Sequence, residues 1–191
     1  MSKGLKITLI VVGVIVVIGI MMAKWIIGGY NNAIAMDENV KGSWAQVENQ
    51  LKRRYDLIPN LVETVKGYAT HEKELFEHIA DARTKYFSAG NVKEKINASN
   101  QLEGMLSRLL LLNEQYPQLK ANENFMKLQD SLEGTENRIA VERMRYNESV
   151  QLLNTYIRTF FGRFFAGIAG VSSAEYYEIP ETEKEVPKVK F

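Results

Sequence analysis

Residues 6–27, KITLIVVGVIVVIGIMMAKWII, carry no charge between Lys6 and Lys24. This run limits the fold more than any other feature. A helix over residues 5–27 extends about 33 Å, enough for the hydrocarbon of a bilayer, with Lys6 and Lys24 reaching toward headgroups. Trp25 and Tyr30 fall where an interfacial aromatic belt is expected. Three structures compete for such a run: a retained anchor, a cleaved signal peptide and a buried core helix. The triplet Ala33-Ile34-Ala35 has the small-x-small pattern of a cleavage site, but it lies well past an apolar run already longer than a signal core. An uncleaved anchor is therefore expected over residues 7–27, behind a short flank at 1–6. Lys3, Lys6 and the α-amino group outweigh Lys24 and Lys41, which puts the N-terminus in the cytoplasm and the rest of the chain outside.

Beyond a juxtamembrane segment at 28–36 the pattern turns helical, and residues 37–177 read as an all-α domain. One stripe runs Val40, Trp44, Val47, Leu51, Ile58, Leu61, Val65 and Tyr68, largely at steps of three and four. A second holds Leu75, Ile79 and Ala82. The third, Leu102, Met105, Leu109, Leu112 and Tyr116, is broadened by Leu106, Leu110 and Leu111. A fourth runs from Phe125 through Leu128, Leu132, Ile139, Tyr146, Leu153 and Tyr156 to Phe160. Gly67 followed by Thr70, Gly90-Asn91 with Glu94, and Pro117 with Asn122 or Asn124 mark the breaks. Helices are expected near 32–66, 70–88, 91–116 and 122–163. Short connections favour an antiparallel up-down four-helix bundle behind the transmembrane helix.

Within the first stripe, LKRRYDLIPNLV (51–62) sets Arg53, Arg54 and Pro59 in a helical pattern. An interior proline kinks a helix and frees one carbonyl, which Asn60 is placed to meet. Arg54 lies about 12 residues below its turn and Glu136 about 14 below its own, a match within about 3 Å of rise. The two are a candidate structural pair; the alternative is that Arg54 snorkels to solvent over its alkyl stem.

Three segments together, WAQVENQLKRRYDLIPNLVETVKGYATHEK (44–73), YPQLKANENFMKLQDSLEGTENRIAVERMRYNESV (116–150) and EYYE (175–178), resemble the LemA family of bacterial membrane proteins. The resemblance implies one transmembrane helix, an antiparallel four-helix bundle, no established enzymatic activity or cofactor, and association with cell or organelle membranes. Many relatives carry a proline after the last long helix, where this chain has Phe161-Gly162.

Little catalytic chemistry is legible. His71, Glu74 and His78 sit three and four apart, but Leu75 occupies the position that a two-histidine zinc motif or a di-iron motif would require, so a solvated polar face is expected. With no cysteine in the chain, thiolate chemistry and disulfides are excluded. The 24 basic and 23 acidic residues nearly cancel, so no overall field points to nucleic acid. Glycine-rich phosphate loops are missing too. No cofactor or metal ligand is expected.

FFGRFFAGIAGV (160–171) either packs on the bundle base or meets lipid, with Phe164 and Phe165 as interface candidates. The tail from 178 to 191 mixes charges with Pro180 and Pro187 and reads as flexible. The expected role is a membrane-anchored, non-enzymatic scaffold or adaptor in the bacterial cell membrane, touching the lipid bilayer and an unidentified protein partner. A transmembrane signal relay comes second and a metal-dependent enzyme third; oligomeric state is not legible.

Overall fold

A computed structural model describes residues 3–178, and of Lys3, Leu5 and Lys6 the backbone alone. The tail expected to be flexible lies outside the described residues except for Glu178. Every regular element described is a helix: α1 (Lys3–Lys66), α2 (Lys73–Ser88), α3 (Val92–Gln115), α4 (Pro117–Lys120), α5 (Glu123–Arg158) and α6 (Phe160–Ala169). The chain divides into two compact units, one of Met1–Gly42 with Glu148–Ala174, the other of Ser43–Asn147 with Glu175–Phe191.

α1 departs from expectation by running unbroken through the juxtamembrane segment instead of starting anew near residue 32. Gly28 and Gly29 cost helix propensity of only about 1 kcal/mol each, and no proline or capping residue stops the helix there. At its far end, Gly67 follows the last helical residue without a left-handed backbone, and Thr70 caps nothing. Turns link Val65 O to Tyr68 and Ala69, and α2 begins at Lys73 behind Glu72, whose side chain makes no capping bond.

The other breaks follow side-chain chemistry. Asn91 Oδ1 accepts from Glu94 N at 2.9 Å, while Gly90 N donates to Glu94 Oε2 at 2.9 Å, a reciprocal cap at the head of α3. Pro117 opens the single turn of α4, where its missing N–H is not needed. Asn122 Oδ1 takes the free N–H groups of Asn124 and Phe125 at 2.9 and 3.0 Å.

The long helix expected to reach 163 stops at Arg158. Thr159 leaves the helix with ψ 157° and caps α6, its Oγ1 accepting from Gly162 N. Gly162 is needed in that corner because a Cβ there would collide with the Tyr156 carbonyl. α6 then closes on Gly170 at φ 68°, with Gly170 N on Gly167 O and Val171 N on Ala166 O, the Schellman pattern.

In the second unit the apolar stripes turn inward. Trp44, Val47, Leu51, Ile58, Leu61 and Val65 of α1 are buried, as are Leu75 and Ile79 of α2, Leu102, Leu106 and Leu109 of α3, and Phe125, Leu132 and Ile139 of α5. Tyr68, expected in the stripe, is exposed instead, its hydroxyl accepting from Asn122 Nδ2 at 2.9 Å. Tyr55, outside the expected stripe, is buried, edge-on to Tyr86 at 4.6 Å.

Pro59 lies inside α1 and is exposed. The carbonyl it leaves without an intrahelical donor is that of Tyr55. Arg83 Nε donates to that oxygen at 3.3 Å from α2, so the compensation expected of Asn60 comes from a neighbouring helix. The Arg83 guanidinium also lies 5.0 Å from the centre of the Phe87 ring. Removing this donor should be costly only while Pro59 is present. Arg83→Ala is expected to lower stability by about 1–2 kcal/mol. In a Pro59→Ala background, where residue 59 regains an N–H for Tyr55 O, about 1 kcal/mol of that cost should vanish. Denaturant unfolding of the four chains measures the coupling, and additive losses would show that Arg83 acts only through packing.

Candidate functional site

Two features stand out, one in each unit. In the second, α1, α3 and α5 bring four charges together. Arg54, only 7% exposed, pairs with Glu136, and Arg143 Nη2 meets Glu103 Oε2 at 2.8 Å. Glu103 and Glu136 also influence each other's ionisation. Burial pushes both carboxyls up. The Arg143 guanidinium more than offsets this at Glu103, which ends below the ordinary carboxylate range. At Glu136 the attraction of Arg54 does not offset burial and the facing charge of Glu103, so its carboxyl ends above that range. An open polar pocket of about 330 Å³, to which Gln129 and Glu133 also contribute, adjoins the group.

An extended segment, residues 175–178, closes over this network. Tyr177 is buried, its ring 4.4 Å beneath the Arg143 guanidinium and its hydroxyl donating to Ser99 Oγ at 2.8 Å. Its backbone is held on both sides by Asn147, Oδ1 accepting from Tyr177 N at 2.8 Å and Nδ2 donating to Tyr177 O at 3.0 Å. Tyr146 OH donates to Glu175 O at 2.7 Å and Asn100 Nδ2 to Glu178 O at 3.0 Å. Trp44 packs on Tyr146 with ring centres 5.3 Å apart. These bonds lock the extended segment in place, while Arg54 Nε and Arg143 Nε stay buried without a hydrogen-bond partner.

In the first unit the aromatic residues gather around α6. Trp25 meets Phe161 and Phe165 edge-on, both at 5.0 Å. Phe165 is buried against Gly29, where a Cβ would overlap its ring, and Tyr156 OH donates to Gly29 O at 3.0 Å. Phe164 points outward, as do Phe161, Ile168 and above all Phe160, 84% exposed although the fourth stripe was expected to bury it. Tyr30 is also exposed. The unit is completed by Asn154, which brackets Ala174 with two bonds of 2.9 Å.

Among the sequence candidates, Arg54 and Glu136 are brought together, as are Trp25 and Phe165. His71 falls in the turn before α2, separate from the helix carrying Glu74 and His78, and all three are exposed, so the face expected for them does not form as one stripe. No group of three histidine, aspartate or glutamate side chains among the described residues is placed to hold a metal ion. Sequence reasoning missed Glu103, Arg143, Asn147 and Ser99. The signals present were an arginine seven residues after Glu136, two turns along the same helix face, and two asparagines, 147 and 154, with the same spacing.

Residues 43–191 match the LemA family model. Magnetosome proteins MamQ 1 and MamQ 2 of Paramagnetospirillum magneticum are each 26% identical over 175 aligned residues, covering 78% of this chain and 64% of theirs. Protein LemA of Metamycoplasma hominis is 22% identical over 158 residues, covering 82% of this chain and 72% of its own. The match thus spans just under two thirds of the MamQ proteins' length.

The pair of buried Arg54 and half-buried Glu136 makes an asymmetric prediction. Arg54→Met leaves Glu136 without its cation and should cost about 3 kcal/mol, whereas adding Glu136→Leu should recover about 1–2 kcal/mol by removing the orphaned carboxylate. Chemical unfolding monitored by circular dichroism gives both values; losses that simply add would mean the two side chains are energetically independent.

Proposed function

This chain belongs to the LemA family, and from that membership we propose a membrane-anchored, non-enzymatic scaffold that displays a helical bundle beside the bacterial cell membrane. One observation carries the reading. Across residues 7–27 every side chain is exposed, although the stretch holds Leu9, Ile10, Val16, Ile18 and Met21 among its apolar groups. Leaving each such side chain in water forfeits about 1.5–3 kcal/mol, a sum of tens of kcal/mol that a bilayer recovers. α1 is the one described helix long and apolar enough to cross a membrane.

The bundle is read as antiparallel. Support comes from α2 packing on α3 and from the pairs Arg54–Glu136 and Glu103–Arg143, which tie α1 and α3 to α5. Charges that neutralise one another within the domain suit a rigid display surface better than a catalytic site. The lysines at positions 3 and 6 support a cytoplasmic N-terminus with the bundle outside. Signal relay is the second reading, favoured by one fact: the apolar stretch, Gly28-Gly29 and Pro59 all belong to the same unbroken helix.

Alkaline carbonate extraction of cells expressing the full chain tests the anchor. The protein should stay in the membrane pellet with an intact N-terminus by mass spectrometry, and removal of residues 1–27 should release it. Recovery of a soluble form beginning at Met36 would overturn the reading. A reporter fused after Phe191 fixes the side of the membrane.

A further inference from the structure

The aromatic face of α6 carries a feature that an anchor alone does not require. Trp25, Phe160, Phe161 and Phe164 border an open groove of about 780 Å³ with Arg158 and Arg163 at its margin. Both arginines are exposed, and neither has an acidic partner among the described residues. That is unlike Arg54 and Arg143, which the same chain pairs inside the second unit. α6 holds no acidic residue at all.

We infer that this groove seats an anionic phospholipid, with its acyl chains on the phenylalanines and Trp25 and its phosphate met by Arg158 and Arg163. The inference rests on residues 7–27 spanning a bilayer. Two observations select the occupant. Trp25 is at once a wall of the groove and part of the apolar run, two residues from its end at Ile27, so the groove opens at the depth where lipid headgroups lie. The charge is complementary as well: guanidinium groups without protein acceptors, set beside exposed aromatic rings, match a ligand that joins a phosphate to hydrocarbon. A soluble protein would have to displace lipid from Trp25 to use the same surface. The interior of the groove is also structurally braced, because Phe165 is held by Gly29 and Trp25 and the α6 corner is fixed by Thr159 and Gly162.

The test uses the full chain reconstituted into phosphatidylcholine vesicles containing trace phosphatidylglycerol or phosphatidylcholine with the same acyl-chain nitroxide. Electron spin resonance reports the motionally restricted fraction of each. At low salt, phosphatidylglycerol should be favoured over phosphatidylcholine about five-fold or more, the effect of one to two basic residues at a membrane surface. In Arg158→Gln/Arg163→Gln the ratio should approach one, while Lys24→Gln should retain most of the preference. Circular dichroism should be unchanged, since both arginines are exposed. Equal restriction of both lipids by the parent chain would overturn the headgroup site while leaving the span intact. A preference that survives the double substitution would also overturn it. If neither lipid is restricted, the failure lies with the span itself.

Discussion

A guanidinium taken out of water must find acceptors, and in this protein that requirement sets which helices face one another. Arg54 on α1 and Arg143 on α5 are both largely buried, and each is answered by a carboxylate from a different helix. The apolar stripes alone leave rotation about each helix axis loosely determined, since Leu against Ile is satisfied in several registers. A buried charge pair is not: a one-turn slip would strand two cations and two anions, at several kcal/mol for each orphan. The net gain in stability from such pairs can be small while their effect on register is large. Tyr177 extends the same logic, because its ring covers Arg143 and its hydroxyl ends on Ser99, so the extended segment packs on the charges beneath it.

Legibility in the sequence follows the range of the interaction. Caps made by a side chain two or three residues away, as at Asn91 and Asn122, were readable because donor and acceptor are neighbours in the chain. So was the inward face of α1, with a gap at 54–55 that the structure fills with Arg54 and Tyr55. The Arg54–Glu136 pairing could be reached from helix lengths and an antiparallel assumption, because two turns of known position supply a ruler. Arg83 could not. The acceptor it serves is a backbone carbonyl, and no side-chain pattern announces which neighbouring helix will bring a donor to it. The break at Thr159 was hidden for another reason: an apolar period passes through it, and only the Thr159 cap with Gly162 three residues later signals the corner. Phe160 therefore looked like the last residue of a buried stripe and is in fact the first of α6.

The two glycine contacts around α6 show how a short apolar helix is oriented with almost no polar help. Gly29 lets the Phe165 ring lie against the backbone of α1, and Tyr156 bonds the carbonyl of the same glycine. Side-chain bulk at Gly29 would push the ring away, and bulk at Gly162 would open the corner that aims α6. With Phe165 turned inward by these constraints, the remaining phenylalanines have no interior left to occupy. Their exposure follows from the geometry that buries their neighbour.

This contrast between the units bears on what each can do. Where the second unit holds charge, it pairs it locally, and Tyr177, in an extended segment held by Asn147, covers Arg143. Arg143 holds the Glu103 carboxyl in its charged form, whereas burial and the facing charge of Glu103 push the Glu136 carboxyl up despite its pairing with Arg54. The first unit does the reverse, keeping hydrocarbon at the surface, where water gives it the least return, beside the exposed guanidinium groups of Arg158 and Arg163. A medium that is apolar within and anionic at its boundary, as proposed for this face, suits both kinds of group at once.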